Sequence, residues 1–360
     1  MKFLDIKNQD KNLSKNIIKD LKKIIDKCDF INGQKVNEFE KKFASYCKSK
    51  YAIGCANGTD AIFLALKSLN LKKGSEVILP AMTYCSTAFS VINAGLKPVL
   101  ADIYPDSPVV SYENVKKKIN SKTKVILIVH LYGQSCDIKK FNLLKKSHNL
   151  YIIEDASQAH GAYDINGINV GSYSDISCFS LYPGKNLGAY GDAGVITTNK
   201  KSFFNHIKKL GNLGSNKKYY HDLVGVNSRL DTLQASILIH KLKNLDKNNK
   251  KRKSIAKYYD KNIINNKVSK INYSQGCVFH QYVIIVNDIN NFIEYLKIYK
   301  IPFGRHYPFA LHQLTSLKKK FRNEKYPHSE RLAKYGISLP IDPSLTKNNL
   351  EKIVKTINKF

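Results

Sequence analysis

The chain has 360 residues, enough for about two domains and for a core that takes most of the apolar surface out of water. With 43% hydrophobic and 11% aromatic residues it is globular, which excludes wholesale disorder. The balance of 59 basic against 28 acidic side chains leaves a formal charge of +31.

The basic residues are five Arg and 54 Lys, spread along the whole length. Base-edge reading and bidentate phosphate clamps favour the planar guanidinium, so the charge is read as lysine-filled solvent faces rather than as a nucleic-acid footprint. The surplus would still draw a small acidic ligand over long range, less so in salt. No apolar run approaches the roughly 18 residues that span a bilayer, and MKFLDIKNQDKNLSK lacks the apolar stretch of a signal peptide. Seven cysteines without a CxxC pair argue against a disulfide framework or a zinc ribbon. The expectation is a cytoplasmic, reduced, soluble protein without metal, nucleic-acid or membrane partners.

In chain order, Leu13, Ile17, Leu21 and Ile25 predict an amphipathic helix over 13–25, and Val36, Phe39 and Phe43 a second one. Short apolar runs then alternate with helical stretches: YAIGCAN, EVILP, KPVLADI, KVILIVH, LYIIEDA, DISCFSL and GVITT. This alternation predicts an α/β unit with a parallel or mostly parallel sheet covered on both faces. A helical pattern over 228–246 leads into a Lys/Asn-rich stretch at 247–253, where the boundary to a smaller domain is placed. That second unit carries a strand, FHQYVIIV, a helix near 290–299 and a loop, FGRHYPFALHQ.

Ligands of such sheets sit beyond the carboxyl ends of the strands. After YAIGCAN, Asn57-Gly58-Thr59-Asp60 opens a helix and offers either a phosphate site or an ordinary N-cap. After EVILP, Tyr84 is either a stacking face for a flat ligand or a packed strand-end residue. YIIEDA ends in Glu154-Asp155, a buried acid suited to holding a proton on a heterocyclic nitrogen, or to a salt bridge or cap. His160 reads as a structural neighbour. DISCFS leads to Ser180 and, among Pro and Gly, to Lys185, a nucleophile if desolvation and nearby cations lower its pKa and otherwise one more surface lysine. The order of these parts matches what pyridoxal 5'-phosphate requires: a phosphate cup, a ring wall, a partner for the pyridine nitrogen and a Schiff-base amine.

At Gly33, Phe39-Glu40, CANGTDA, TYCSTA, HLYG, EDASQAHGA, YPGKNLGAYGDAG, VNSRLDTLQAS and HYPFALH the sequence resembles the DegT/DnrJ/EryC1/StrS family of nucleotide-sugar aminotransferases over almost its whole length. The resemblance implies a fold-type-I, aspartate aminotransferase-like architecture, with a large cofactor domain at 1–246 and a small α+β domain at 247–360. It implies Lys185 as the Schiff-base lysine, Asp155 on the pyridinium nitrogen and Gln158 near the phenolic oxygen. Gly58, Thr59 and Ser180 would hold the phosphate, with Tyr84 on the ring face and Asn227 reaching the phosphate of a neighbouring subunit in a homodimer. Tyr219, His221, His306 and His312 fall where relatives contact the nucleotide sugar.

Within the family, YPGKNLGAYGDAG with HYP…LH is most similar to enzymes that use L-glutamate to convert dTDP-3-keto-6-deoxyhexoses to 3-amino-3,6-dideoxyhexoses. Enzymes acting on UDP-3-keto-hexuronates or 4-keto sugars are the alternatives, and VGVNSRLDTLQA also occurs in the former. Leu181 stands where an aromatic is usual, and Phe309-Ala310 departs from the common sugar-side loop. A dehydratase of the same fold would carry histidine in place of Lys185, and a polyanion-binding homologue without chemistry would have no use for Lys185 with Asp155.

Overall fold

The computed structural model describes residues 1–217 and 219–360. The seven apolar runs form seven strands: β1 (Tyr51–Cys55), β2 (Glu76–Pro80), β3 (Lys97–Ala101), β4 (Thr123–Val129), β5 (Tyr151–Asp155), β6 (Ile176–Ser180) and β7 (Gly194–Thr198). They make one sheet in the order β1-β7-β6-β5-β4-β2-β3. The pairs from β6 to β3 are parallel, and β7 runs antiparallel to both β6 and β1. The sheet is therefore mixed but mostly parallel, as the near-continuous apolar strands demand when both faces are covered. Two buried clusters lie on its faces, one holding Ile153, Val125 and Val77, the other Ile152, Ile126 and Ile78. Adjacent strand residues enter opposite clusters because successive side chains alternate across the pleat.

The first long helix is Ser14–Asp26, but its inward residues are Ile17 and Ile24, while Ile25 is 55% exposed. Four-residue steps drift about 40° each around a 3.6-residue helix, whereas a seven-residue step returns to nearly the same face. The expected seam through Ile25 is corrected accordingly. The second helix, Gln34–Cys47, buries Val36, Phe39 and Phe43 as expected.

After β7, the short strands β8 (Ser215–Lys217) and β9 (Tyr220–His221) form a hairpin, followed by the helix Thr232–Leu242. The 246/247 boundary falls inside one helix, Leu245–Asn262, and the Lys/Asn-rich stretch is part of that helix, its lysines largely outward and Asn249 and Arg252 buried. That helix starts in the large-domain core at Leu245 and ends in a third cluster with Ile255, Ala256 and Tyr259. The third cluster covers an antiparallel sheet of β10 (Val268–Lys270), β11 (Tyr282–Val286) and β12 (Gly336–Leu339). Leu311, Leu317, Phe321 and Leu332 return to the large-domain core, so the C-terminal part is shared between the two cores. Among the described residues no helix is long and apolar enough to cross a membrane.

Candidate active site

A cavity of about 780 Å³ opens beyond the carboxyl ends of the central strands. Gly58, Thr59, Tyr84, Asp155, Gln158, Ser180, Lys185 and His306 all line it. One site thus gathers residues scattered over 249 positions of sequence from five separate segments.

The helix Gly58–Ser68 starts at the cavity, capped by the Asn57 side chain, whose Oδ1 accepts the Asp60 N–H at 2.8 Å. The cap is therefore Asn57, and the N–H groups of Gly58 and Thr59 remain at a helix start, which attracts anions. A Cβ on Gly58 would lie 2.6 Å from Ser180 Cβ, so the missing side chain is what lets the helix start and the end of β6 touch. The Asp60 carboxylate shares this corner, as a lining residue in the helix's first turn.

The acidic pair of β5 is divided by the pleat. Glu154, fully buried, turns to the far face, where it accepts from His130 Nε2 at 2.9 Å, Ser177 Oγ at 2.9 Å and the Gly171 N–H at 3.2 Å. The Cys136 N–H donates to His130 Nδ1 at 3.0 Å, which places the remaining ring proton on Nε2. Burial pushes the Glu154 carboxyl up, but its hydrogen-bond donors, His130 foremost and Ser177 with it, leave the group below the ordinary glutamate value. The structural alternative raised for this strand end, a buried acid held by its partners, belongs to Glu154. Asp155 faces the cavity, 4% exposed, with Oδ2 accepting from Thr87 Oγ at 2.8 Å and Oδ1 from the Ser157 N–H at 3.2 Å.

Lys185 lies in the loop between β6 and β7, its backbone N–H bonded to the Tyr182 carbonyl at 2.9 Å. Burial draws its amine down from 10.5 to about 8, against the pull of the Asp155 carboxylate. Desolvation, one of the two causes expected from the sequence, does this; the neighbouring cations that were the other contribute nothing. The nearby imidazoles are neutral at ordinary pH: burial, then the charge on Lys185, hold His160 at about 3 and His306 at about 4. His160 is fully buried with both ring nitrogens unpartnered among the described residues, a structural neighbour as expected.

Gln158 is fixed at both ends of its amide. Oε1 accepts the Tyr132 N–H at 2.7 Å, and Nε2 donates to Tyr307 Oη at 3.0 Å. The Tyr307 ring lies 5.2 Å from that of Tyr84, which is 53% exposed along the cavity wall. His306 bonds Ser338 Oγ through Nδ1 at 2.8 Å, and its carbonyl accepts the Tyr132 hydroxyl.

Four expected residues stand outside this lining. Tyr219 and His221 lie exposed on the β8–β9 hairpin. Asn227, also exposed, bridges Asn212 beside that hairpin. His312 is corrected: its Nε2 is bound to Glu330 at 3.0 Å and its ring packs 4.9 Å from Tyr326, which turns it into the large-domain core. The sequence reading also passed over cavity residues: Phe3, Leu4, Asp192, His280, Gln281 and Tyr307. His280 and Gln281 come before β11 rather than after a strand end, so the rule for ligands of parallel sheets does not point to them.

The profile of the DegT/DnrJ/EryC1/StrS aminotransferase family matches residues 11–358. The chain belongs to that family. It is 40% identical over 362 aligned residues, covering 99% of both chains, to the dTDP-3-amino-3,6-dideoxy-alpha-D-galactopyranose transaminase of Aneurinibacillus thermoaerophilus. Among solved structures it is similar to Streptomyces venezuelae DesV in complex with a ketimine intermediate, at TM-score 0.96 and 31% identity, covering 99% of this chain and 97% of that one. It is similar also to NtdA of Bacillus subtilis with bound cofactor PMP, at TM-score 0.91 and 27% identity, covering 99% and 84%. The DegT/DnrJ/EryC1/StrS aminotransferase described here thus has the fold-type-I architecture, acts on nucleotide-linked sugars and uses pyridoxal 5'-phosphate. Its cavity suits that group: a desolvated amine for an aldehyde, a buried carboxylate for a ring nitrogen, and a helix start for a phosphate.

Proposed function

We propose that this aminotransferase carries the amino group of L-glutamate to a dTDP-linked 3-keto-6-deoxyhexose, giving the 3-amino-3,6-dideoxy sugar, as a cytoplasmic homodimer with shared active sites. The observation that carries the reaction is the pairing of a partly neutral Lys185 amine with a cavity-facing, hydrogen-bonded Asp155 in one pocket. The dTDP-3-keto sugar is supported by the name of the 40%-identical relative.

When bound, pyridoxal phosphate supplies an electron sink for the bond broken at the donor's α carbon. Lys185 would hold the cofactor through its aldehyde, and its free amine would be the base that takes the proton from the donor's α carbon and returns it within the site. An amine of pKa about 8 suits both tasks, since a substantial fraction is unprotonated near neutral pH. Asp155 keeps the ring nitrogen protonated, and Thr87 with the Ser157 N–H fixes its two oxygens for that contact. Gln158, oriented by Tyr132, would lie near the phenolic oxygen. Gly58, Thr59 and Ser180 would hold the phosphate, and Tyr84 would cover one ring face. With the keto sugar in place of 2-oxoglutarate, the same groups would move the proton in the opposite sense.

The dimer is supported by the exposed apolar residues beside Asn227: Leu213 at 45%, Tyr220 at 61% and Val224 at 97%. A second copy covering that hairpin would bring Asn227, Tyr219 and His221 to the partner's cavity. The seven cysteines, all unpaired as thiols, support a reducing compartment.

The test is a pair of half-reactions. Glutamate should bleach the visible band of the loaded enzyme and release 2-oxoglutarate, and a dTDP-3-keto-6-deoxyhexose should restore it with formation of the amino sugar. No response to glutamate defeats the transaminase reading of the site. Restoration by a UDP-3-keto-hexuronate alone moves the substrate to that class.

A further inference from the structure

We propose that the segment carrying Phe3 and Leu4 is a substrate-contacting wall of the active site, with Phe3 offering its aromatic face to the hexose of the nucleotide sugar. The inference deepens the proposed function and rests on it.

Phe3 and Leu4 line the same cavity as Lys185 and Asp155. Neither belongs to any of the three buried clusters, so core packing does not account for two apolar side chains held there. The segment is anchored at several points. The Asp5 N–H and the Gln9 Nε2 both donate to Asp342 Oδ2, at 2.8 and 2.6 Å. Asp10, 6% exposed, accepts from Tyr190 Oη at 3.0 Å and pairs with Lys241 at 2.8 Å. It is thus tied both to the loop that bears Lys185 and to the C-terminal unit.

Immediately before these anchors the two side chains meet the site. The Phe3 ring stacks on the His306 imidazole, with centroids 5.9 Å apart and planes 23° from parallel. Leu4 Cδ2 lies 3.5 Å from where a Cβ would stand on Gly184, the neighbour of Lys185. His306 is held neutral and bound to Ser338 through Nδ1, so the stack is one of uncharged rings and Nε2 is left for a hydroxyl.

The size of the two substrates decides which one uses this wall. Glutamate is small and reacts at Lys185, among the deeply buried Thr83, Asp155 and Gln158. A nucleotide sugar must extend outward, past partly exposed residues such as Phe3, Leu4 and Tyr84. Pyranose rings present C–H faces that pack on aromatic rings, and binding sites combine such faces with a few placed polar groups.

The test uses the full chain with its cofactor, as wild type, Phe3→Ala and Phe3→Tyr. Binding of dTDP-3-amino-3,6-dideoxygalactose to the pyridoxamine form, where no reaction occurs, is measured by calorimetry. Phe3→Ala should weaken it about tenfold and raise the steady-state KM for the keto sugar similarly, with kcat changed less than about threefold. Phe3→Tyr should restore both, and the glutamate half-reaction should stay within about twofold in all three. Equal sugar affinity in wild type and Phe3→Ala overturns the assignment, as does a parallel loss in both half-reactions with a lowered Tm, which marks a structural role. If wild type reacts with glutamate but does not bind this sugar, the proposed substrate is wrong and the Phe3 assignment falls with it.

Discussion

Thr87 donates its hydroxyl to Asp155 Oδ2 at 2.8 Å from the first turn of the helix Cys85–Asn93, and Thr83 meets Thr87 at 3.1 Å behind it. The carboxylate is therefore aimed by a side chain from a different strand–helix junction. Asp155→Asn should lower kcat about 10²- to 10⁴-fold, the usual scale for loss of a positioned proton-holding group. Thr87→Val, close to Thr in shape, should cost only about tenfold, because the Ser157 N–H still orients Oδ1. Single-turnover rates with glutamate check the order of the two effects.

An amine with a pKa of about 8 is protonated below that pH and nucleophilic above it. Capture of pyridoxal phosphate by the apo-enzyme should therefore accelerate through pH 8 and level off above it. An unperturbed lysine would keep accelerating toward its ordinary value near 10.5. Stopped-flow absorbance against pH distinguishes the two profiles.

Glu154 carries a stability expectation rather than a catalytic one. Its pKa is lower folded than unfolded, so between the two values the unfolded chain binds more protons and stability rises with pH. The contribution is full above the ordinary glutamate value near 4.5 and is lost as pH falls through the folded value. Glu154→Gln should flatten the acid limb of a urea-denaturation series. Glu154→Ala, which strands His130, Ser177 and the Gly171 N–H without an acceptor, should cost about 3–5 kcal/mol.

Asn227 offers a test of shared sites. Lys185→Ala should abolish turnover, and Asn227→Ala should weaken cofactor retention. If Asn227 serves the neighbouring subunit, a mixed dimer of the two variants places both defects in one site and leaves the other intact. Co-expressed, separately tagged chains should recover up to about half of wild-type activity per dimer. Recovery absent in a verified mixed dimer would place Asn227 with its own chain's site.

The sheet and the gathering of Gly58, Tyr84, Asp155, Gln158, Ser180 and Lys185 at one cavity were legible in the sequence because apolar runs and the polar residues at their ends share one local grammar. Gly58 and Lys185 follow strands and Asp155 ends one, and the topology brings strand ends together. Phe3, His280 and Gln281 precede their elements, so no such rule flags them, and only tertiary packing delivers them. His312 shows the opposite error: the imidazole sits in the right loop but bonds Glu330 instead of the cavity, a choice made by side-chain partners distant in sequence. Desolvation was one of the two causes anticipated for the lowered pKa of Lys185; the other, nearby cations, is absent because the surrounding imidazoles are neutral.

Because β7 runs back against β6, Ser180 pairs with Gly194 across the antiparallel contact, and Gly194 packs against the Asn57 carbonyl, so both roots of the lysine-bearing loop are clamped beside the helix start. Leu187 and Ala189 within it are fully buried, and Asn186 is bonded to Asn249, so the amine of Lys185 is presented from a rigid mount rather than a mobile loop.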